Sequence, residues 1–306
     1  MKFHTKQSGS AIEDSPFGGH AKLVQQLPVR ALEDMYKQKC ELDVSQYLDG
    51  LAYISQYKCR KTGMLFWRPK EISGDEAFYA EISKKWPSYY KEERWEYHQA
   101  RNQIIHSQAE SILEIGCGRG YFLRSLEPLG VNGVGLELNK DAIHNKETKS
   151  QVLQQTLQDF RSHNPHSIDA VCSFQVLEHV CDPYQFLSDC VDVVKPGGKI
   201  IISTPNHEYP DHAMMRDAFD LPPHHLNHFN RRVFQRIGKI LSLRIVGIYS
   251  QPHNLGVHTN DRKPNLFTHL ASRALSHGWQ AANQLIGQTT SNPRVGHTIL
   301  AIFQKP

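Results

Sequence analysis

Residues 112–120 read Ile112-Leu113-Glu114-Ile115-Gly116-Cys117-Gly118-Arg119-Gly120. A short apolar run carrying one acid, Glu114, leads straight into a loop with glycine at every second position. Glycines at such a junction let the backbone turn sharply and let a ligand lie against bare main chain. Tyr121 to Leu126 reads as a helix whose free N–H groups point over the loop. Strand, glycine loop and helix in this order suit a nucleoside cofactor. The alternative is a plain glycine turn from strand to helix.

Two cofactors use such a unit. The dinucleotide fingerprint is G-x-G-x-x-G, its third glycine allowing close helix–strand packing. Here the third glycine, Gly120, comes one position early, and Tyr121 takes the dinucleotide position. Glu114 would repel a pyrophosphate and suits a cationic amino group. S-adenosylmethionine carries an amino group, a carboxylate and a sulfonium, and no phosphate. On these residues the chain resembles the class I S-adenosylmethionine-dependent methyltransferases, whose first motif is apolar-apolar-acidic-apolar-G-x-G-x-G. The resemblance implies that Glu114, Gly116, Gly118 and Gly120 contact the cofactor.

The downstream spacing extends the match. Val134-Gly135-Leu136-Glu137-Leu138 reads as a second buried strand ending in a carboxylate. Glu137 lies 21 residues after Gly116, close to where an acid meets ribose hydroxyls in such folds. Each charge-assisted bond there would contribute roughly 1.5–3 kcal/mol; a solvated Glu at a strand end is the alternative. Leu157-Gln158-Asp159-Phe160 resembles the family's third motif, which implies Asp159, with Phe160 beside it, near the adenine. Ile168 to Phe174 is an apolar strand, and the loop Gln175-Val176-Leu177-Glu178-His179-Val180 resembles the fourth motif, with Gln175 at the cofactor. Leu177-Glu178-His179-Val180 is typical of the branch that holds quinone-type O-methyltransferases. Asp182 and Pro183 suit a helix N-cap and first position, and Phe186, Leu187, Cys190, Val191 and Val194 recur at helical spacing. Lys195-Pro196-Gly197-Gly198 then breaks the helix before the strand Lys199 to Ser203.

The implied architecture is α/β: a Rossmann-like, seven-stranded, mostly parallel sheet with helices on both faces, an N-terminal cap and a C-terminal helical insertion. Residues 1–30 show little periodicity and read as a mobile tail. Residues 31–108 form the cap or lid region, and 109–306 the methyltransferase domain. Within the cap, Tyr57 to Pro69 resembles a degenerate zinc-ribbon-like hairpin of methyltransferases from carbohydrate gene clusters. Thr62 replaces the second cysteine and Cys40 cannot complete four ligands, so the hairpin is expected without zinc. Residues 75–107 read as helical, with Pro87 as a kink. Tyr90, Arg94 and Trp95 are lid candidates, core packing being the competing role for the aromatics. Residues 207–232 form the acceptor-site segment, Leu243 to Tyr249 a strand, 251–293 a helical insertion, and His297 to Phe303 a final strand.

Composition bounds the partners. The chain has 306 residues, 39% hydrophobic and 22% charged, with net charge +4; this is ordinary for a globular protein and too weakly basic, with Lys and Arg scattered, to argue for nucleic acid. No run of 18 apolar residues predicts a membrane span, and Met1 to His20 lacks an apolar signal core, so a cytoplasmic location is expected. Six cysteines without a C-x-x-C pair argue against a disulfide framework. Nothing in the composition sets an oligomeric state.

Methyl transfer is an in-line displacement, and a hydroxyl acceptor must also lose a proton to a base. Leu221-Pro222-Pro223-His224-His225-Leu226-Asn227-His228-Phe229 holds the best candidates; its His-x-x-x-Phe, His225 to Phe229, resembles a segment of carbohydrate-cluster methyltransferases. A free histidine titrates near roughly 6.5 and can be neutral at working pH. His225 ranks first, then His228 and His224, with His179 a further candidate. General base or acceptor binding, structural hydrogen bonding and metal ligation by His224 with His228 at i,i+4 all compete, and no metal site is assigned. The expected function is O-methylation of a sugar, nucleotide sugar or glycan end. A quinone-like phenol acceptor and a non-catalytic cofactor-binding scaffold are the alternatives.

Overall fold

The computed structural model describes residues 13–209, 218–252 and 296–306. Its central sheet has seven strands: β5 (Ser111–Ile115), β6 (Asn132–Leu136), β7 (Gln151–Leu153), β8 (Ile168–Phe174), β9 (Val194–Pro205), β11 (Arg244–Ser250) and β12 (Thr298–Gln304). They lie in the order β11-β12-β9-β8-β5-β6-β7. The pairings from β9 through β7 are parallel, and β12 runs antiparallel to both β9 and β11. This is the seven-stranded, mostly parallel sheet expected from the sequence.

Side-chain alternation sends the sheet's two faces into different cores. Leu113, Val171, Ile200, Ile202, Ala301 and Phe303 pack with apolar residues of α6 (Leu157–His163), α7 (Pro183–Val193) and α8 (Arg231–Ile240). Ile112, Ala170, Cys172, Ile201, Leu300 and Ile302 pack with α3 (Trp95–Ser107) and α4 (Tyr121–Leu126). Helix α7 starts as its sequence dictates: the Asp182 carboxylate accepts from Gln185 N–H at 2.9 Å, with Pro183 in the first turn. The Pro-Gly-Gly run does not interrupt β9. It makes a register shift, with Ile168 opposite Val194 and Ala170 opposite Lys199.

The N-terminal region departs from expectation. It is a five-stranded antiparallel sheet in the order β1-β2-β3-β4-β10, built from β1 (Glu13–Asp14), β2 (His20–Pro28), β3 (Tyr53–Cys59), β4 (Leu65–Arg68) and β10 (Asn227–His228). The mobile tail expected over 1–30 is therefore corrected: Glu13–Asp14 and His20–Pro28 are strand-paired, with Ala21 opposite Cys59 and Leu27 opposite Ile54. Ala21, Leu23, Gln25 and Leu27 face inward between exposed neighbours, a period-2 pattern on which strands depend. Residues 1–12 lie outside the described residues, as does nearly all of the helical insertion expected over 251–293.

The hairpin expected over 57–69 is formed by β3 and β4. Thr62 N–H donates to Cys59 Sγ at 3.2 Å, and Cys40 packs in a separate core with α1 (Val29–Cys40). The helical stretch expected over 75–107 divides into α2 (Glu76–Lys85) and α3, because Pro87 opens a short 3-10 turn between them.

At the end of the sheet opposite the glycine loop, Asp169 gathers β5, β8 and Lys195. Its carboxylate accepts from Lys195 Nζ at 2.6 Å and from Ser111 Oγ at 2.8 Å and N–H at 2.9 Å. Burial would raise its pKa, but these donors outweigh burial and bring it to about 2. A folded pKa below the unfolded 3.8 stabilises above that value and loses the contribution as pH falls through about 2. Asp169→Asn should therefore lower stability at pH 7 by about 1 kcal/mol, Lys195 being partly solvent-screened. Urea unfolding should show the difference from the parent closing near pH 2.

Candidate active site

A cavity of about 660 Å³ opens at the C-terminal ends of β5, β6 and β8, the edge where open α/β sheets bind ligands. One end is the glycine loop. Gly116 and Gly118 have φ of +69° and +55°, a region that side chains other than glycine rarely enter. A Cβ on Gly116 would stand 2.5 Å from Val176, and one on Gly118 would stand 2.6 Å from the ring of Tyr90. Bare backbone is thus required at the cavity floor.

Glu137 follows β6 and closes this end. One carboxylate oxygen accepts from Gly118 N–H at 2.8 Å, and the other from Leu138 and Asn139 N–H at 2.9 and 2.8 Å. Burial pushes its pKa up while the three N–H donors pull it back. Tyr90 lies over the loop, its hydroxyl accepting from Asn139 Nδ2 at 3.0 Å. Tyr90 and Arg94 line the cavity as lid candidates should; Trp95, the first residue of α3, does not line it and packs against the core.

Gly116, Gly118, Glu137 and Gln175 are brought together on the wall. The other expected cofactor residues stand off it. Glu114 is 2% exposed and points beneath the loop, where the Leu123 N–H donates to it; its Oε2 has no hydrogen-bond partner among the described residues. Burial pushes this carboxyl well above the usual range. Gly120 faces Thr148. Asp159 is exposed and spends its carboxylate on a capping box, accepting from Thr156 Oγ1 at 2.7 Å. Phe160 is in the core. In their place Gln155, Thr156 and Leu157 line the cavity. The spacing Thr156-x-x-Asp159 carried this capping signal.

The histidines form the other end. His179, His224 and His225 converge, with ring centroids 4.6, 5.0 and 4.4 Å apart. His179 Nδ1 donates to the His224 carbonyl at 2.6 Å, and His224 Nδ1 to the Phe219 carbonyl at 2.9 Å. Burial pushes His179 down to about 3 and His224 well below its usual value, so both rings are neutral. His225 Nδ1 is 3.3 Å from the Asp220 carboxylate. His228 leaves this group: β10 carries it to Gln56, whose Nε2 is 3.3 Å from its Nδ1, and its Nε2 donates to the Asp220 carbonyl. It stacks on His207 and does not line the cavity. The i,i+4 pairing of His224 with His228 is thus corrected, because the chain enters a strand at Asn227.

Sequence reasoning missed Asp220, Tyr79, Tyr89 and Glu178. Asp220 stood five residues before His225, the one signal available for it. Glu178 is 1% exposed and lines the cavity. Burial pushes its pKa from 4.5 up to about 8.

A methyltransferase-domain family model matches residues 82–246, more than half of the chain. The chain belongs to this methyltransferase domain family. Among curated relatives, a ubiquinone biosynthesis O-methyltransferase of Aliivibrio fischeri is 35% identical over 104 residues, covering 32% of this chain and 44% of the relative. One from Vibrio atlanticus is 34% identical over 107 residues, covering 33% and 45%. The match thus spans less than half the length of these relatives. Two solved structures share the fold. An Archaeoglobus fulgidus SAM-dependent methyltransferase has 20% identity and TM-score 0.50, covering 74% of this chain and all of that one, 100%. A possible histamine N-methyltransferase of Thermotoga maritima has 13% identity and TM-score 0.51, covering 74% and 98%. The family's cofactor is S-adenosylmethionine, and the residues fit it: glycines where a Cβ would clash, and Glu137 half-buried beside them. Among the described residues no helix is long and apolar enough to cross a membrane.

Two measurements check the site. Gly118→Val should weaken S-adenosylmethionine binding by roughly 100-fold or more, about 2.7 kcal/mol, in calorimetric titration; unchanged affinity would remove the loop from the site. A carboxyl raised from 4.5 to about 8 stabilises the fold only below 4.5 and loses that contribution as pH rises to about 8. Glu178→Gln should therefore raise the melting temperature by several degrees at pH 8.5 and leave it nearly unchanged at pH 4.5.

Proposed function

We propose that the protein is an S-adenosylmethionine-dependent methyltransferase acting on a hydroxyl of a small molecule. The observation that carries this reading is one cavity holding the glycine loop at one end and the Asp220–His225 pair at the other. Asp220 orients His225 through Nδ1, which leaves Nε2 to accept the hydroxyl proton, and Asp220 stabilises the imidazolium that results. His179 and His224, neutral and anchored to backbone carbonyls, wall the site without competing for that proton. When bound, S-adenosylmethionine supplies a methyl group on a positively charged sulfur, already activated for displacement. The protein's share is alignment, which can contribute roughly 7–11 kcal/mol, and removal of the acceptor's proton.

Tyr79, Tyr89 and Tyr90 line the cavity, and such faces suit a flat ring. Together with the curated relatives' names, they support a phenol-like acceptor. A sugar hydroxyl is the second reading, favoured by the pairing of the β3–β4 hairpin with β10 beside the histidines. A methyl-release assay across phenols and sugars separates the two. Turnover of none, with the cofactor bound, would leave a cofactor-binding scaffold.

His225→Ala should lower kcat by roughly 10²–10⁴ with cofactor affinity unchanged. Asp220→Asn should lower it by a smaller factor. Wild-type turnover in His225→Ala would place the base elsewhere.

A further inference from the structure

At the histidine end, one buried carboxyl takes no hydrogen bond from any other described residue. It belongs to Glu178, and burying an ionised group in that condition is costly. His179 Nε2 stands 3.9 Å from Oε1, but that ring is neutral. Arg94 is the cation whose charge reaches Glu178, and it also serves buried Glu96 and Glu114; its guanidinium lies 3.8 Å from Glu96. Lys91 and Arg119 also line the cavity, yet Arg94, the cation that reaches Glu178, is shared with two other buried acids.

The position of Glu178 sets this carboxyl at the histidine end. Its backbone carbonyl accepts from Leu226 and Asn227 N–H at 2.8 and 3.0 Å, in the acceptor segment. The charge of Glu178 also acts on Tyr79 and Tyr89, which line the cavity. Aromatic faces beside a carboxylate form a seat for an organic cation. A metal ion fits less well, although His179, His224 and His225 offer ligand atoms within 4.8 Å of one another. The rings of His224 and His225 lie 23° from parallel, so their in-plane lone pairs run side by side rather than converging. His224 Nε2 is also engaged with the Tyr89 hydroxyl at 3.2 Å.

We propose that Glu178 seats an ammonium group of the acceptor, which makes the substrate an amine-bearing hydroxyl compound. This rests on the reading of the histidine end as the acceptor site. Without a ligand the Glu178 carboxyl keeps its proton at neutral pH; an ammonium beside it favours release of that proton to solvent, and the two then form a charge-assisted pair in a water-poor pocket, while His225 is left to deal with the hydroxyl. Removing one partner of such a pair strands the other's charge, so discrimination against an uncharged analogue should be large.

The test uses benzylamine, protonated at neutral pH, against benzyl alcohol, titrated calorimetrically into the full chain saturated with S-adenosylhomocysteine. The expected result is at least roughly tenfold tighter binding of benzylamine, with the ratio falling to near one in Glu178→Gln. Equal binding of the two probes to the wild type would overturn the proposal. So would exclusion of benzylamine by S-adenosylhomocysteine, which would assign the carboxylate to the cofactor's own amino group. Zn²⁺ binding that Glu178→Gln weakens would also overturn it, in favour of a metal. Methyl transfer is read separately: discrimination between the probes with no turnover of any acceptor would sink the enzymatic reading and leave the ammonium seat standing.

Discussion

Two residue pairs between β10 and β4, Asn227 against Phe66 and His228 against Leu65, join the acceptor segment to the N-terminal sheet. Most of the site's geometry follows from that junction. Because β10 is extended, His228 is carried toward Gln56, while the turn before it keeps His224, His225 and Asp220 over the cavity. The Trp67 N–H donates to the Leu226 carbonyl at 2.9 Å, and the Leu226 and Asn227 N–H groups are taken by the Glu178 carbonyl. One stretch of backbone therefore ties the hairpin, the acceptor segment and the loop after β8 into a single wall. The N-terminal region is less a cap laid on the domain than one side of the site.

Charge is distributed unevenly across that wall. The glycine-loop end satisfies its acid: Glu137 has three N–H donors. The histidine end does not: no other described residue donates to Glu178, and it shares Arg94 with Glu96 and Glu114. Burial holds an unpaired carboxyl such as Glu178 in its neutral form, and at a cavity wall a ligand's positive charge can draw it to the carboxylate. Burial keeps His179 and His224 neutral, because taking either ring out of water disfavours its charged form.

Much of the fold was legible in local sequence. The glycine loop, the strand ending at Glu137, the Asp182-Pro183 helix start and the alternating final strand each depend on a few adjacent residues, and each forms where expected. The site was legible only in part. Gly116, Gly118, Glu137 and Gln175 line the cavity, but Asp159 was claimed by Thr156 in a capping box and Glu114 turned beneath the loop toward Leu123. Those outcomes are set by which side of a strand or helix turn faces the ligand, and a motif's spacing does not carry that information. The strand over 20–28 was missed because a polar composition hid a period-2 pattern.

By itself, the sequence determined the parallel sheet, the glycine loop and hence the family, because hydrophobic period, glycine placement and capping are local properties of the chain. Tertiary structure alone decided which histidines share a pocket. His179 is separated from His225 by 45 intervening positions, and His228, three residues from His225, is sent away by a strand pairing with Leu65. It also decided that Glu178 borders the cavity with no hydrogen bond from another described residue. Pairings between distant segments select which polar groups meet, and their chemistry follows from what burial leaves unsatisfied.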